Sequence, residues 1–261
     1  MPSSTALRLK IENDLQHRYP SALTPSPRTI RDVVATGVVS IDGLLNGGLP
    51  VGAISELTGP ACSGRTNLAL AFLASRTKDG NVCAWVDAGD AFDPESAAVN
   101  AVSLQHLLWV RCTDTPSDKQ QSTAQRKKQQ PWTRLDQAIR ATDLLLQAGG
   151  FAAIVLDLAD EAIEHGRRIP LATWFRFRQA ADRTRCSLIL LGKAAYAQSS
   201  AALVLECRHH CVDETSPYVI RGFSYSAQRG RARFSPLTSI TRKPPVSRWR
   251  SQPPWDLENR A

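Results

Sequence analysis

The chain is 261 residues long, 43% apolar, and carries a formal net charge of +8. That is enough chain for one large α/β domain with a proper core, or such a domain with tails. No apolar run approaches the ~18 residues of a membrane span, and Met1-Pro2-Ser3-Ser4 leads into charged residues rather than the apolar stretch of a secretory signal. A cytoplasmic protein with no membrane partner is the expectation. The six cysteines show no framework spacing, which points to reduced thiols.

In chain order, residues 6–19 read as a short helix carrying Leu7, Leu9, Ile11 and Leu15, followed by a proline-punctuated linker from Pro20 to Pro27. Such a tethered helix could dock on a neighbouring subunit or pack back on its own domain, so residues 1–30 form a separate segment. The compact domain is expected over 31–243. Its first core strand, Gly52–Thr58, runs into Gly59-Pro60-Ala61-Cys62-Ser63-Gly64-Arg65-Thr66 and then a helix-like run, Asn67–Ala74. The middle segment fits the phosphate-binding pattern G-x-x-x-x-G-K-[ST] except that Arg65 replaces lysine. Between strand and helix, successive backbone N–H groups and the positive end of the helix converge on one point suited to a phosphate.

Apolar runs at Val82–Asp87, Leu107–Cys112, Ala152–Asp157, Ser187–Leu191 and Ala202–Cys207 favour buried strands of a mainly parallel sheet, with helical patterns between most of them. Thr113–Pro131 is polar throughout and reads as a mobile surface loop. Helices are expected over Arg134–Gln147, stopped by Gly149-Gly150, and around Leu171–Ala181. Tyr218–Lys243 reads as further strands with a turn near Gln228-Arg229-Gly230, and 244–261 as a basic Pro/Trp tail.

A working phosphate loop needs a strand-end carboxylate to hold magnesium and an acid to activate water. Asp157, ending an apolar strand, suits the first role with Thr66, although a lone strand-end Asp also serves as a cap or turn residue. Asp87, Asp90 and Asp93 reach the same crevice by position, and spacing alone does not assign a base among them.

Residues 221–261 hold nine basic side chains (Arg221, Arg229, Arg231, Arg233, Arg242, Lys243, Arg248, Arg250, Arg260) and two acids (Asp256, Glu258), a net +7. So concentrated a charge suggests a polyanion, most plausibly nucleic acid, while a solvated tail is the plainer alternative. Arg229, Arg231, Arg233, Arg242 and Lys243 are the candidate DNA contacts. Trp249 and Trp255 read as anchors for a protein groove, or as residues that pack back on the domain. Cys207-Arg208-His209-His210-Cys211 invites a zinc reading, but no second Cys/His pair has matching spacing.

Taken together, the segments Thr36–Gly52, Glu56–Thr66 and Trp85–Pro94 resemble the bacterial recombinase RecA in order and spacing. The resemblance implies a RecA-like α/β core that binds ATP with magnesium, through Gly59–Thr66 and Asp157, and contacts single-stranded DNA. The departures matter as much. RecA-like proteins carry lysine at the position of Arg65, a water-activating glutamate at that of Gly89, and an adenine-stacking aromatic at that of Ser96. Their glutamine that senses the terminal phosphate falls on Lys193, and their long DNA-binding loop shrinks to about Ala194–Ala201. A RecA-like body lacking those parts resembles the accessory proteins of damage-inducible mutagenesis called ImuA. That resemblance implies a non-hydrolysing scaffold of the SOS response, linking DNA or a recombinase filament to translesion polymerases, with self-association open. A DNA-dependent ATPase of homologous recombination, relying on Arg65 and Asp90, is the alternative. An inhibitor that docks on a partner without DNA or nucleotide is a third.

Overall fold

The computed structural model describes residues 32–113, 133–216, 219–232 and 246–251. The helix expected over 6–19, the linker 20–27, nearly all of the 113–131 loop, and Arg233, Arg242, Lys243 and Trp255 lie outside those residues.

Strands buried on both faces read as unbroken apolar runs. Four such runs become the centre of the sheet, with every residue buried: β3 (Ile54–Thr58), β4 (Cys83–Asp87), β6 (Ala153–Asp157) and β7 (Ser187–Gly192). β5 (Leu107–Arg111) closes one edge, and β8 (Ala201–Ser216), β9 (Val219–Ala232) and β10 (Val246–Ser251) extend the other. The order across the sheet is β10-β9-β8-β3-β7-β6-β4-β5. Pairing is parallel from β8 to β5 and antiparallel between β8, β9 and β10. β1 (Val33–Val34) and β2 (Leu49–Pro50) form a separate two-stranded ribbon.

The period-2 alternation of each central strand divides its side chains between two cores. Trp85, Val155, Ile189 and Leu191 face α1 (Val39–Leu45) and α2 (Arg65–Lys78). Val86, Ile154, Leu156, Leu188 and Leu190 face α4 (Arg134–Ala148) and α6 (Leu171–Thr184). α4 starts on a capping box between Thr133 and Asp136 and stops at Gly149, whose φ of 71° a residue with a side chain adopts at a cost. The short α3 (Pro94–Val99) and α5 (Ile163–Arg168) complete the α-helices of the described residues. This is the mainly parallel, helix-flanked α/β architecture that the apolar runs predicted.

Two expectations are corrected. Gln228-Arg229-Gly230 is not a turn but part of β9; Arg229 lies opposite Leu205 and Arg231 opposite Val204, so Gly230 is the extra residue of a bulge. Val246–Ser251, placed in a tail, is edge strand β10, paired with β9 from Val246↔Gln228 to Ser251↔Phe223. Its alternation was the overlooked signal: Ser247, Trp249 and Ser251 turn to one face and Arg248 and Arg250 to the other. Trp249 is no exposed anchor. It is 6% exposed, lies 5.3 Å from Tyr225 between ring centroids, and is part of the core shared with α1 and α2.

Trp249→Ala is therefore expected to lower unfolding free energy by about 3 kcal/mol, the ordinary cost of emptying a large aromatic site. Val246→Ala, on the same strand but 58% exposed, is expected to cost less than about 0.5 kcal/mol. Urea unfolding of the two variants measures the contrast, and equal losses would contradict the packing of β10.

Candidate functional site

β3 ends at Thr58, and the loop Gly59–Gly64 carries the chain into α2, whose N-cap is Gly64 at φ 83°. Cys62 also sits in the left-handed region, at φ 58°, where a residue with a side chain is uncommon. Pro60, Ala61, Cys62 and Thr66 are exposed at the loop's mouth, whereas Ser63 and Arg65 are buried. Gly64 is required by more than its torsion. A Cβ there would lie 2.6 Å from the Tyr225 ring and 2.9 Å from Trp249, so β9 and β10 press directly against the loop's flank. The indole N–H of Trp249 donates to Asn67 Oδ1 at 3.4 Å and ties β10 to the first turn of α2.

The cation of the loop is turned inward. Arg65 donates through one guanidinium nitrogen to the carbonyl oxygens of Gly59, where the loop begins, and of Gly192, at the end of β7, the latter at 3.1 Å. The same two residues are joined by Gly59 N–H donating to Gly192 O at 3.1 Å. Arg65 thus fastens the loop to the neighbouring strand.

Asp87 and Asp157 end adjacent strands in direct register. Asp157 is 8% exposed, and burial above all, with Asp87 adding repulsion, pushes its carboxyl up to about 6, although Ala159 N–H donates to it at 2.9 Å. Asp87 is fully buried and accepts from the amides of Ala91 and Phe92 at 3.1 and 2.8 Å, so it shapes its own turn. Asp90 forms a two-pronged ion pair with Arg111 at 2.7 and 2.9 Å, which holds its carboxyl below the usual range. Asp93 caps α3 through the amides of Glu95 and Ser96, and the Ser96 hydroxyl donates to it. A Cβ at Gly89 would lie 2.8 Å from a carboxylate oxygen of Asp160, so the space before that glycine is filled from the β6–α5 connection. Lys193 Nζ donates to the carbonyls of Asp160 and Glu161, both at 3.2 Å. The short Ala194–Ala201 connection is held by Glu56 Oε1, which accepts from the amides of Tyr196 and Ala197 at 2.6 and 2.9 Å.

Of the candidate DNA contacts, Arg229 is half-buried and shares a register position with Leu205, on the packed side of the sheet; Arg231 lies opposite Val204. Cys207 is buried, which pushes its thiol up to about 12, while Cys211 is exposed. No group of three or more His, Cys, Asp or Glu converges among the described residues.

The RecA N-terminal domain family matches residues 10–122. The RecA proteins of Allorhizobium ampelinum and Rhizobium rhizogenes are 39% identical to this chain over 127 residues, and that of Brucella canis 38%. Each match covers 48% of this chain and 30% of the relative, so the likeness spans less than a third of the length of those proteins. In three dimensions the solved RadB recombinase superposes with a TM-score of 0.55 at 20% identity, over 84% of this chain and 96% of that one. The fold is RecA-like. Sequence likeness is concentrated in the half that carries the phosphate loop and begins at residue 10, earlier than the boundary near Arg31, while the structural likeness runs on through most of the chain.

The Asp157 carboxyl carries a pH signature. A carboxyl whose folded value is raised from 3.8 to about 6 holds its proton longer in the folded state, so ionising it costs stability. That cost is absent below the unfolded value and complete above about pH 6. Asp157→Asn is accordingly expected to stabilise the protein by up to about 3 kcal/mol at about pH 8. The gain should shrink as pH falls from about 6 towards 4. Thermal melts of the two proteins across that range test it, and a gain independent of pH would contradict it.

Proposed function

We propose that this chain is a RecA-like accessory protein of DNA repair and SOS damage tolerance. It is a non-hydrolysing scaffold, similar to the ImuA group, that links DNA or a recombinase filament to error-prone translesion polymerases. The observation that carries the reading is the inward guanidinium of Arg65, bonded to the carbonyls of Gly59 and Gly192 rather than offered at the loop's mouth. The match to RecA proteins across the phosphate-loop half supports the DNA-repair setting.

ATP with magnesium is the cofactor that such a fold implies, and the residues fit it only in part. The loop backbone, open at Pro60, Ala61 and Cys62 and backed by the first turn of α2, suits contact with a phosphate. Thr66 and Asp157 are the residues that would hold its magnesium. The side chains do not fit turnover. Arg65 is committed to backbone carbonyls, position 89 is glycine faced by Asp160, Asp90 is committed to Arg111, and Lys193 to the carbonyls of 160 and 161. The alternative, an active DNA-dependent ATPase of homologous recombination, would need Arg65 and Asp90 released from these contacts.

Calorimetric titration of the full chain with ATP and magnesium, paired with phosphate release on the same sample, separates the two. The expected outcome is no turnover above background, with or without single-stranded DNA, and no gain on Arg65→Lys. Release that is stimulated by DNA and abolished by Arg65→Ala would establish the ATPase instead.

A further inference from the structure

The antiparallel extension β8–β9–β10 has two unlike faces. One carries Leu205, Cys207, Tyr225, Ala227 and Trp249 and is packed under α1 and α2. On the opposite face Val204 still packs towards α4 and α6, and past it the described side chains are exposed or half-buried. There the ladder register places Arg208 opposite Ser226 and Ser226 opposite Arg248, in one row across three strands. The next row outward on β9 and β10 pairs Ser224 with Arg250. Arg208, Arg248 and Arg250 are exposed, with only small Ser224 and Ser226 between them. At ordinary strand spacing Arg208 and Arg248 stand about 10 Å apart, and Arg248 and Arg250 about 7 Å apart along β10. Glu206 lies on the same face, 3.8 Å from Arg208. Among the described residues the patch is three guanidinium groups on a floor of Ser224, Ser226 and Gln228.

We propose that this face binds the phosphodiester backbone of a single-stranded nucleic acid. The inference rests on the DNA partner of the proposed function and moves the contact from Arg229, Arg231, Arg233, Arg242 and Lys243 to Arg208, Arg248 and Arg250. A chain of phosphates laid across the three strands meets the guanidinium row at the two spacings above, and Ser224, Ser226 and Gln228 offer neutral hydrogen bonds between the charges. Tyr225 and Trp249 turn to the packed face, and His209 and Phe223 lie beside Tyr225 on that side. Binding is therefore read through the backbone, without base preference and with strong salt dependence.

The test is fluorescence titration of the full-length protein with a labelled single-stranded DNA oligonucleotide over a series of salt concentrations. An RNA of the same sequence tells whether the sugar matters. Replacing all three arginines (R208Q/R248Q/R250Q) is expected to reduce the slope of log K against log salt by about 2, at about 0.7 per lost contact, and to weaken binding about 100-fold at about 0.1 M salt. The triple lysine variant restores most of it, because phosphate is met as a point charge. A control that removes three exposed arginines on α5 and α6 (R167Q/R168Q/R183Q) changes net charge equally and leaves the slope nearly unchanged. Thermal melts confirm that each variant folds. If the protein binds DNA and the face variant behaves as the control does, this inference is wrong while the proposed function stands. If the full chain binds no single-stranded nucleic acid, the DNA link of the proposed function is lost as well.

Discussion

A guanidinium is buried at the centre of this molecule's strand ends. Arg65 is 6% exposed, and burying a charge is tolerated only where acceptors meet it. The acceptors are two backbone carbonyls, one at the start of the phosphate loop and one at the end of β7. One nitrogen of the planar guanidinium meets both acceptors and holds the group between them. Arg65 also lowers the carboxyl of Asp157 by its field, though burial wins and the carboxyl remains high. The loop therefore has an internal partner for its positive charge and keeps its shape through that bond.

Other charges around the crevice follow the same pattern. Glu56 gathers the amides of Tyr196 and Ala197, Lys193 gathers the carbonyls of Asp160 and Glu161, and Asp87 gathers the amides of Ala91 and Phe92. Asp90 and Arg111 neutralise each other. Chemistry at a strand end requires groups held ready for a substrate, with some of their hydrogen-bonding capacity in reserve. Here Glu56, Lys193 and Asp87 bond to the backbone of connecting loops and brace the end of the sheet.

Much of this was legible in the sequence because it rests on local rules. Unbroken apolar runs announced β3, β4, β6 and β7, and the glycines of the 59–66 segment announced the strand–loop–helix turn. Gly149-Gly150 announced the stop of the helix expected over 134–147, which runs one residue further, to Ala148. What escaped depended on partners distant in the chain. The inward turn of Arg65 is decided by Gly192, 127 residues away. Gly89 and Asp160 meet only because β4 and β6 are neighbours. The segment 246–251, rich in arginine and close to prolines, lacked the composition of a core strand, yet the spacing of Arg248, Trp249 and Arg250 is the period-2 signature of a strand with one buried face.

That alternation joins the two halves of the molecule's behaviour. Trp249 cannot face the loop without Arg248 and Arg250 facing away from it, since neighbouring side chains on a strand point to opposite sides. The same edge strand that presses Tyr225 and Trp249 against Gly64 also presents the guanidinium row on the opposite face. A contact on that row reaches the phosphate loop through a single strand thickness, with no lid or hinge in between. A sheet extension that braces the loop on one side and carries charge on the other joins core packing and surface chemistry in a single pair of strands.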